Sequence, residues 1–390
     1  MLVRAKGNLM TTYDLVLRGG RVIDPSQGID DTLDVAFANG RLAALGKDLD
    51  AGGCTEVRDV AGKIVTPGLI DLHTHVYWGG TSLGVDAAAL SRNGAVATHV
   101  DTGSAGPGNF AGFRTHVIER SPVRIIPYLN ISFAGIYGFS KRVMVGESGD
   151  QRLLAPIDTA EVIRANRDVI AGIKVRVGRN ASDTAGLVPL DIARQVADEV
   201  GMPMMVHIDE PPPTLPDVLA RMRPGDILTH CFRAFPNAPI TAEGRVLDAV
   251  LEARSRGVIF DIGHGMGSFA FSTARAMLAA GFAPDTISSD VHALCIDGPA
   301  YDLVTTLSKF LFLGMPLADV IARATSKAAA ALQRPDLGTL AIGGPGEASI
   351  LDLSAGRFAL TDSIGETVMA EQRLLAAGLV IGGKWWGAQA

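Results

Sequence analysis

Cysteine is scarce in this chain, with three residues in 390, far apart and without a C-x-x-C pair. Such an odd, sparse set is typical of reduced thiols in a cytoplasmic protein. The chain also lacks a dense run of lysine and arginine, and its net charge is −6, so we expect no nucleic-acid or membrane partner. Its apolar runs end well before the ~20 residues that span a membrane. No continuous apolar segment near the N-terminus indicates a signal peptide.

Charged residues are few in this chain and hydrophobic residues are plentiful. Charged residues make up 19% of the chain and hydrophobic residues 47%, and the mean hydropathy is +0.25. This composition fits strands that are buried on both faces, as in parallel sheets. The length allows a large core and more than one domain.

Strand signals at both ends of the sequence differ from those in its middle. Asn39 and Gly40 stand between two apolar strands in "DVAFANGRLAALG", which is the strongest short signal for a β-hairpin. From about residue 64, short apolar strands alternate with amphipathic stretches that predict helices. Two of these are "LVPLDIARQVADEVG" and "TAEGRVLDAVLEARSRG", and the glycine that ends each is typical of a helix C-terminus. Short strands return in "GPGEASILDL".

Eight strand–helix units follow one another in the middle of the chain. The strands are predicted in "IVTPGLIDLHTH", "VATHVDTG", "RIIPYLNIS", "AGIKVRVG", "PMMVHID", "DILTHCF", "VIFDIGHG" and "TISSDVH". Their number and length predict an α/β fold, a (β/α)8 TIM barrel over residues 66–344. We expect residues 1–65 and 345–390 to join into a small β-sandwich domain beside it.

Polar side chains stand where several of these strands end. Barrels of this kind carry their chemistry at the C-terminal ends of the strands. Alternate residues of a strand face the same side, so the two histidines of "HTH" can aim at one point. The side chains at these ends share metal-binding or acid–base chemistry: His73, His75, Lys174, His207, His230 and Asp290. Their convergence predicts a metal-dependent active site.

Together with the "PGLIDLHTH" run, this pattern resembles the amidohydrolase superfamily of metal-dependent hydrolases. The resemblance extends over the whole chain and implies a centre with two divalent ions. His73, His75 and Asp290 are implied to bind the first ion. His207 and His230 are implied to bind the second.

Lys174 is implied to bridge the two ions as a carbamate. A lysine ammonium that faces two dications is repelled, which lowers its pKa. The free amine can then add carbon dioxide, giving an anion with one oxygen for each ion. Zinc suits the mixed histidine and carboxylate set, while softness rules leave manganese, iron and cobalt open.

Such a centre predicts hydrolysis of an amide or an ester. Two ions lower the pKa of a water molecule between them. Asp290 is placed to accept the proton of that water during its attack on a carbonyl, and to pass the proton to the leaving group.

Four further residues are candidate substrate contacts. Arg176 lies two residues beyond the strand-4 lysine on the same face and could anchor a carboxylate, or it could pair with an acid. His264, in "DIGHGMG", and His292, two residues after the strand-8 aspartate, also stand near strand ends. Tyr77 occupies the position where dihydroorotases carry an arginine, which argues against dihydroorotase activity.

The strand-end motifs resemble the deacetylase branch near the dihydroorotases, which implies small N-acyl or O-acyl substrates that carry a carboxylate. A cyclic amidase of the dihydroorotase or hydantoinase type would use the same centre. A mononuclear deaminase would use the H-x-x-E spacing of His207 and Glu210 but would not need Lys174. A non-catalytic metal-bound scaffold would not need Asp290 as a proton shuttle. We expect a small-molecule substrate and leave a homo-oligomer open.

Overall fold

The structure, a computed structural model, describes residues 12–387, which form two β-sheets flanked by helices. Residues 1–11 and 388–390 lie outside the described part of the chain. The expectation that the N-terminus carries no signal peptide concerns mostly these undescribed residues. None of the helices within residues 12–387 is long and apolar enough to cross a membrane. The three cysteines form no disulfide with one another.

The described residues contain fifteen β-strands. They are β1 Leu15–Asp24, β2 Ile29–Ala38, β3 Arg41–Gly46, β4 Glu56–Asp59, β5 Ile64–Pro67, β6 Leu69–Thr74, β7 Val96–Thr102, β8 Arg124–Asn130, β9 Gly172–Val177, β10 Met204–Ile208, β11 Ile227–Leu228, β12 Ile259–Phe260, β13 Ala348–Thr361, β14 Thr367–Ile381 and β15 Lys384–Trp385.

Ten α-helices are found in the same part of the chain, with three 3-10 turns. The helices are α1 Ala87–Gly94, α2 Phe110–His116, α3 Pro156–Ala165, α4 Val188–Val200, α5 Leu215–Leu219, α6 Asp248–Ser255, α7 Phe271–Ala279, α8 Leu303–Phe312, α9 Leu317–Arg323 and α10 Ser326–Ala331. The 3-10 turns are Ile118–Arg120, Gln151–Leu153 and Asp183–Ala185.

One sheet is parallel and curled, with its seven strands in the sequential order β6 to β12. The predicted eighth strand is not regular. Residues 286–291 instead form isolated parallel bridges, Thr286 with Asp261 after β12 and Val291 with Thr74 of β6. The ladder is interrupted because Asp290 has φ 48°, in the left-handed region that breaks a strand. This segment nevertheless contacts both edges of the sheet.

The predicted helices largely form, with one clear difference. Helix α4 ends before Gly201, whose φ of 65° provides the left-handed cap. The helix predicted in "TAEGRVLDAVLEARSRG" is shorter and covers only α6. Its first residues make a turn in which Thr241 N–H donates to the carbonyl of Arg245. Gly244, with φ 79°, prevents a helix there.

The second sheet joins both ends of the chain. Its order is β15-β14-β13-β5-β1-β2-β3, with β4 beside β1. The predicted hairpin is confirmed, since Asn39 and Gly40 connect β2 to β3 with φ values of 51° and 73°, as a type I′ turn requires. Ser349 of β13 fastens this sheet to the other, because its Oγ accepts from the N–H of Leu69 and donates to the carbonyl of Ala95.

Candidate metal centre

His73 and His75 stand at the end of β6 and point into one buried space. They are 1% and 4% exposed, and Nε2 of each lies 3.3 Å from Oδ1 of Asp290. Ligand atoms of a tetrahedral ion with bonds of ~2.1 Å stand about 3.4 Å apart. The spacing therefore fits one divalent ion held by these three side chains.

A hydroxyl group contacts Nδ1 of each of these histidines and fixes the tautomer of His73. Nδ1 of His73 is 2.8 Å from Oγ1 of Thr229, whose own proton is donated to Oδ2 of Asp261 at 2.9 Å. Nδ1 of His73 must then be the donor, which leaves the lone pair of Nε2 for an ion. Nδ1 of His75 similarly lies 2.9 Å from Oγ of Ser104.

His207 and His230 form a second pair of imidazoles. Nδ1 of His207 and Nε2 of His230 are 2.6 Å apart. Nδ1 of His230 donates to the carbonyl of Gly263 at 2.7 Å, so its Nε2 carries a lone pair. Burial lowers the pKa of both histidines well below the ordinary value, which keeps them neutral. These two nitrogens share a hydrogen bond and stand closer together than two ligands of one ion would, but neutral imidazoles are the donor type that a second ion needs.

Lys174 of β9 is fully buried beside these groups. Its Nζ has no hydrogen-bond partner anywhere in residues 12–387. Burial, opposed by the charge of Asp290, lowers the pKa of Lys174 to about 7. A buried amine without a partner is costly unless something else satisfies it. The orphaned amine and the surrounding donor set fit a centre with two ions.

Two glycines of "DIGHGMG" allow the backbone to approach these side chains closely. A Cβ on Gly265, where φ is 52°, would lie 2.2 Å from Oδ2 of Asp290. A Cβ on Gly263, where φ is 47°, would lie 2.2 Å from Oγ1 of Thr229. Sequence reasoning selected His264 and missed the glycines on either side of it. The G-H-G spacing was the signal that could have identified them.

All six predicted ligands border one cavity of about 310 Å³. Two of the predicted substrate contacts, Arg176 and His292, also line it. The segment between β8 and α3 contributes Phe139 to the wall. Arg233, which sequence reasoning missed, lines the cavity as well. The cavity thus combines ligand-type side chains with two guanidinium groups.

The structure places His264, a predicted substrate contact, away from the cavity. His264 is fully buried and does not border the cavity. Its Nε2 lies 2.6 Å from Nζ of Lys309, and its ring stacks on Phe269 at 4.8 Å between centres. The ring turns away from the cavity because its two nitrogens are taken up inside the protein, the other by the carbonyl of Gly265. His264 supports the loop that carries the two glycines.

Tyr77, another predicted substrate contact, also lies away from the cavity. The chain leaves β6 at Thr74, and Tyr77 is directed into the core rather than toward the cavity. Its ring stacks on Phe113 with 4.5 Å between centres, and its hydroxyl donates to the carbonyl of Asn109 at 3.2 Å. Packing therefore accounts for this tyrosine.

The chain is similar over most of its length to curated deacetylases. It is 34% identical over 338 residues to a deacetylase of Brucella anthropi, which covers 86% of this chain and 83% of that protein. It is 33% identical over 328 residues to a deacetylase of Agrobacterium fabrum, with 84% and 80% covered. A segment of 63 residues is 57% identical to a dihydroorotase of Geobacter sulfurreducens, which is 16% of this chain and 15% of that protein. No protein-family model matches the chain.

Solved structures share the fold. The crystal structure of an adenine deaminase has a TM-score of 0.88 at 29% identity and covers 96% of this chain and 100% of its own. The crystal structure of a dihydroorotase has a TM-score of 0.88 at 31% identity, with 96% and 98% covered. The resemblance inferred from the strand ends is thereby confirmed: the chain belongs to the amidohydrolase superfamily and is an enzyme of that superfamily.

Proposed function

We propose that this protein is a deacetylase that hydrolyses small N-acyl or O-acyl compounds carrying a carboxylate. The observation that carries the proposal is one cavity in which the histidine, lysine and aspartate set lies beside Arg176 and Arg233. The first group suits hydrolysis of an acyl bond, and guanidinium groups suit recognition of a carboxylate. The names of the curated relatives support the acyl specificity.

Two divalent ions, preferably zinc, would occupy the centre. The first would be held by His73, His75 and Asp290, and the second by His207 and His230. As a neutral amine, the lysine of β9 would add carbon dioxide, forming an N–C bond and releasing one proton. The carbamate on that lysine would then offer one oxygen to each ion.

When bound, the ions would supply a water of lowered pKa and polarise the acyl carbonyl. Asp290 takes up the proton of the attacking water as its oxygen bonds to the acyl carbon. It then returns the proton to the leaving nitrogen or oxygen as the C–N or C–O bond breaks, so that acetate and an amine or alcohol are released. Burial raises the pKa of Asp290 to about 6, and a bound ion would oppose that shift.

We also propose that residues 66–344 close into a (β/α)8 barrel beside a small β-sandwich domain of residues 1–65 and 345–390. The bridges of Thr286 and Val291 to opposite edges of the parallel sheet support closure. The sheet shared by both chain ends supports the second domain. A cytoplasmic location remains part of the proposal.

A substrate screen tests the function. Enzyme reconstituted with zinc and bicarbonate would be assayed with N-acetyl amino acids and O-acetyl hydroxy acids, both enantiomers of each, against dihydroorotate, hydantoins and adenine. We expect the highest kcat/KM for one of the acetyl compounds. Ring opening alone would favour a cyclic amidase, the second candidate, which the similarity to the dihydroorotase structure supports. Ammonia released from adenine would favour a deaminase, and no turnover of any class would favour a scaffold.

A further inference from the structure

Two arginines border the cavity, and their surroundings differ. Nη1 of Arg176 donates to Oε2 of Glu147 at 3.0 Å, and the two side chains are 9% and 4% exposed. The guanidinium also lies 5.2 Å from the ring centre of Phe139. The other oxygen of Glu147 accepts from Asn130. The charge of Arg176 is therefore already balanced inside the protein.

Arg233 lies in the loop after β11, three residues beyond His230, and is 9% exposed. Its Nη1 donates to the main-chain carbonyl of Ile208. Its buried Nε has no hydrogen-bond partner among the described residues. None of the ion pairs found within residues 12–387 includes Arg233, and the acidic charges that act on it at longer range are those of Asp209 and Glu210. The bond to Ile208 occupies one corner of the guanidinium and leaves its charge without a direct counter-ion.

Two acidic residues near Arg233 do not take that place. The carboxylate of Asp209 accepts from the main-chain N–H groups of Asn180 and Ala181, at 3.1 and 3.0 Å. Asp209 thereby fixes the loop after β9. Glu210 borders the cavity but is exposed to solvent, where water screens its charge.

A buried guanidinium without a contacting anion is costly unless a partner binds to it. We propose that Arg233, rather than Arg176, binds the carboxylate of the substrate. This assignment rests on the proposed deacetylase function. An acetyl group has no carboxylate, so the carboxylate belongs to the amine or alcohol part. The enzyme would therefore release acetate together with an amino acid or a hydroxy acid.

Binding of a simple carboxylate tests the assignment without turnover. Benzoate and its neutral analogue benzamide would be titrated calorimetrically into zinc-loaded wild type, Arg233→Met and the matched control Arg176→Met. We expect benzoate to bind wild type and Arg176→Met with similar Kd, and Arg233→Met on the order of 10- to 100-fold more weakly, as for loss of a charge-assisted hydrogen bond. Benzamide should not distinguish the three proteins. Benzoate affinity that is equal in wild type and Arg233→Met, or absent in wild type, would overturn the assignment.

Arg233→Lys guards against a folding defect, because it keeps a cation and a donor for the Ile208 carbonyl. It should bind benzoate with intermediate affinity at unchanged zinc content; affinity as low as that of Arg233→Met would point to a structural role instead.

A kinetic comparison then uses an N-acetyl amino acid and its carboxamide. Arg233→Met should lose its preference for the acid, mainly through KM. If Arg233 is needed for benzoate binding but no acetyl compound is hydrolysed, the anion-binding role of Arg233 stands and the deacetylase function is contradicted.

Discussion

Oγ1 of Thr229 lies 2.8 Å from Nδ1 of His73 and donates its proton to the buried carboxylate of Asp261. That carboxylate also accepts from the hydroxyls of Thr286 and Ser288. Three hydroxyls thus fix Asp261, and through Thr229 it fixes the ring of His73. The imidazole is oriented for an ion by residues that would not touch the ion.

Replacing Thr229 by valine should weaken zinc binding while keeping the shape of the side chain. Loss of such an orienting partner typically costs 10- to 100-fold in metal affinity. The apparent Kd would be measured by competition with a chromophoric chelator on apo-protein. Thr229→Ser retains the hydroxyl and should bind zinc nearly as wild type does. Equal affinity in Thr229→Val and wild type would show that the hydroxyl does not orient His73.

Gly265→Ala should displace Asp290, because the new Cβ would lie 2.2 Å from its Oδ2. A displacement of about 1 Å can cost on the order of 100-fold in kcat. The matched control is Gly267→Ala in the same loop, where a Cβ meets nothing within 4 Å. Acetate release and circular dichroism would be compared for both variants. Normal turnover in Gly265→Ala would mean that the position of Asp290 tolerates this shift.

Asp290→Asn should keep the fold and much of the metal yet lose roughly 100-fold or more in kcat, the usual scale for loss of a general acid–base group. Asparagine can still offer an oxygen to an ion but cannot accept a proton at neutral pH. Zinc content by elemental analysis and steady-state kinetics would be measured together. Near-normal kcat would remove Asp290 from the proton transfer.

Lys174→Ala should lose metal and activity together, because the bridging anion is gone. Added acetate or bicarbonate should restore part of both by filling the vacant position. Lys174→Arg is the control, since its fixed cation cannot add carbon dioxide and should not respond. Mass spectrometry of active, zinc-loaded wild type should show the additional mass of a carbamate. An unmodified Lys174 in fully active enzyme would contradict the bridge.

His99, which is not one of the six predicted ligands, should make the protein sensitive to acid. It is 1% exposed on β7, with Nε2 2.9 Å from Oγ of Ser91, and burial lowers its pKa to about 3. In the unfolded chain the pKa is about 6.5. Between these values only the unfolded chain binds the proton, so the free energy of unfolding falls as the pH drops from 6.5 toward 3.

For His99→Gln, the loss of unfolding free energy between pH 7 and pH 5 should therefore be smaller than for wild type by about 2 kcal/mol. Denaturant titrations at the two pH values would measure it. His116→Gln, at an exposed position, serves as the control and should leave the difference unchanged. An unaltered pH dependence in His99→Gln would show that this histidine is not responsible.

Local patterns were enough to predict most strands and the chemistry of their ends. Alternation and apolar runs identified β6 to β10, because a strand buried on both faces needs those residues wherever it lies. Asn39-Gly40 specified its hairpin through backbone conformation alone. The identities of His73, His75 and Asp290 indicated metal binding because imidazole and carboxylate groups are the ligands that a divalent ion such as zinc uses, and barrel strand ends bring them together.

Contacts between distant parts of the chain decided what those patterns left open. The sequence alone did not distinguish a paired Arg176 from a free one, since its partner Glu147 belongs to another segment; nor did it place Arg233 in the cavity. The sequence also predicted His264 as a substrate contact, whereas the structure buries its imidazole ring. The residue of that loop that packs closely against Asp290 is Gly265. Sequence specifies what each side chain can do, but its direction and its partners depend on how loops meet in three dimensions. The convergence of the six ligand-type residues could therefore be predicted, whereas the positions of His264 and Tyr77 relative to the cavity could not.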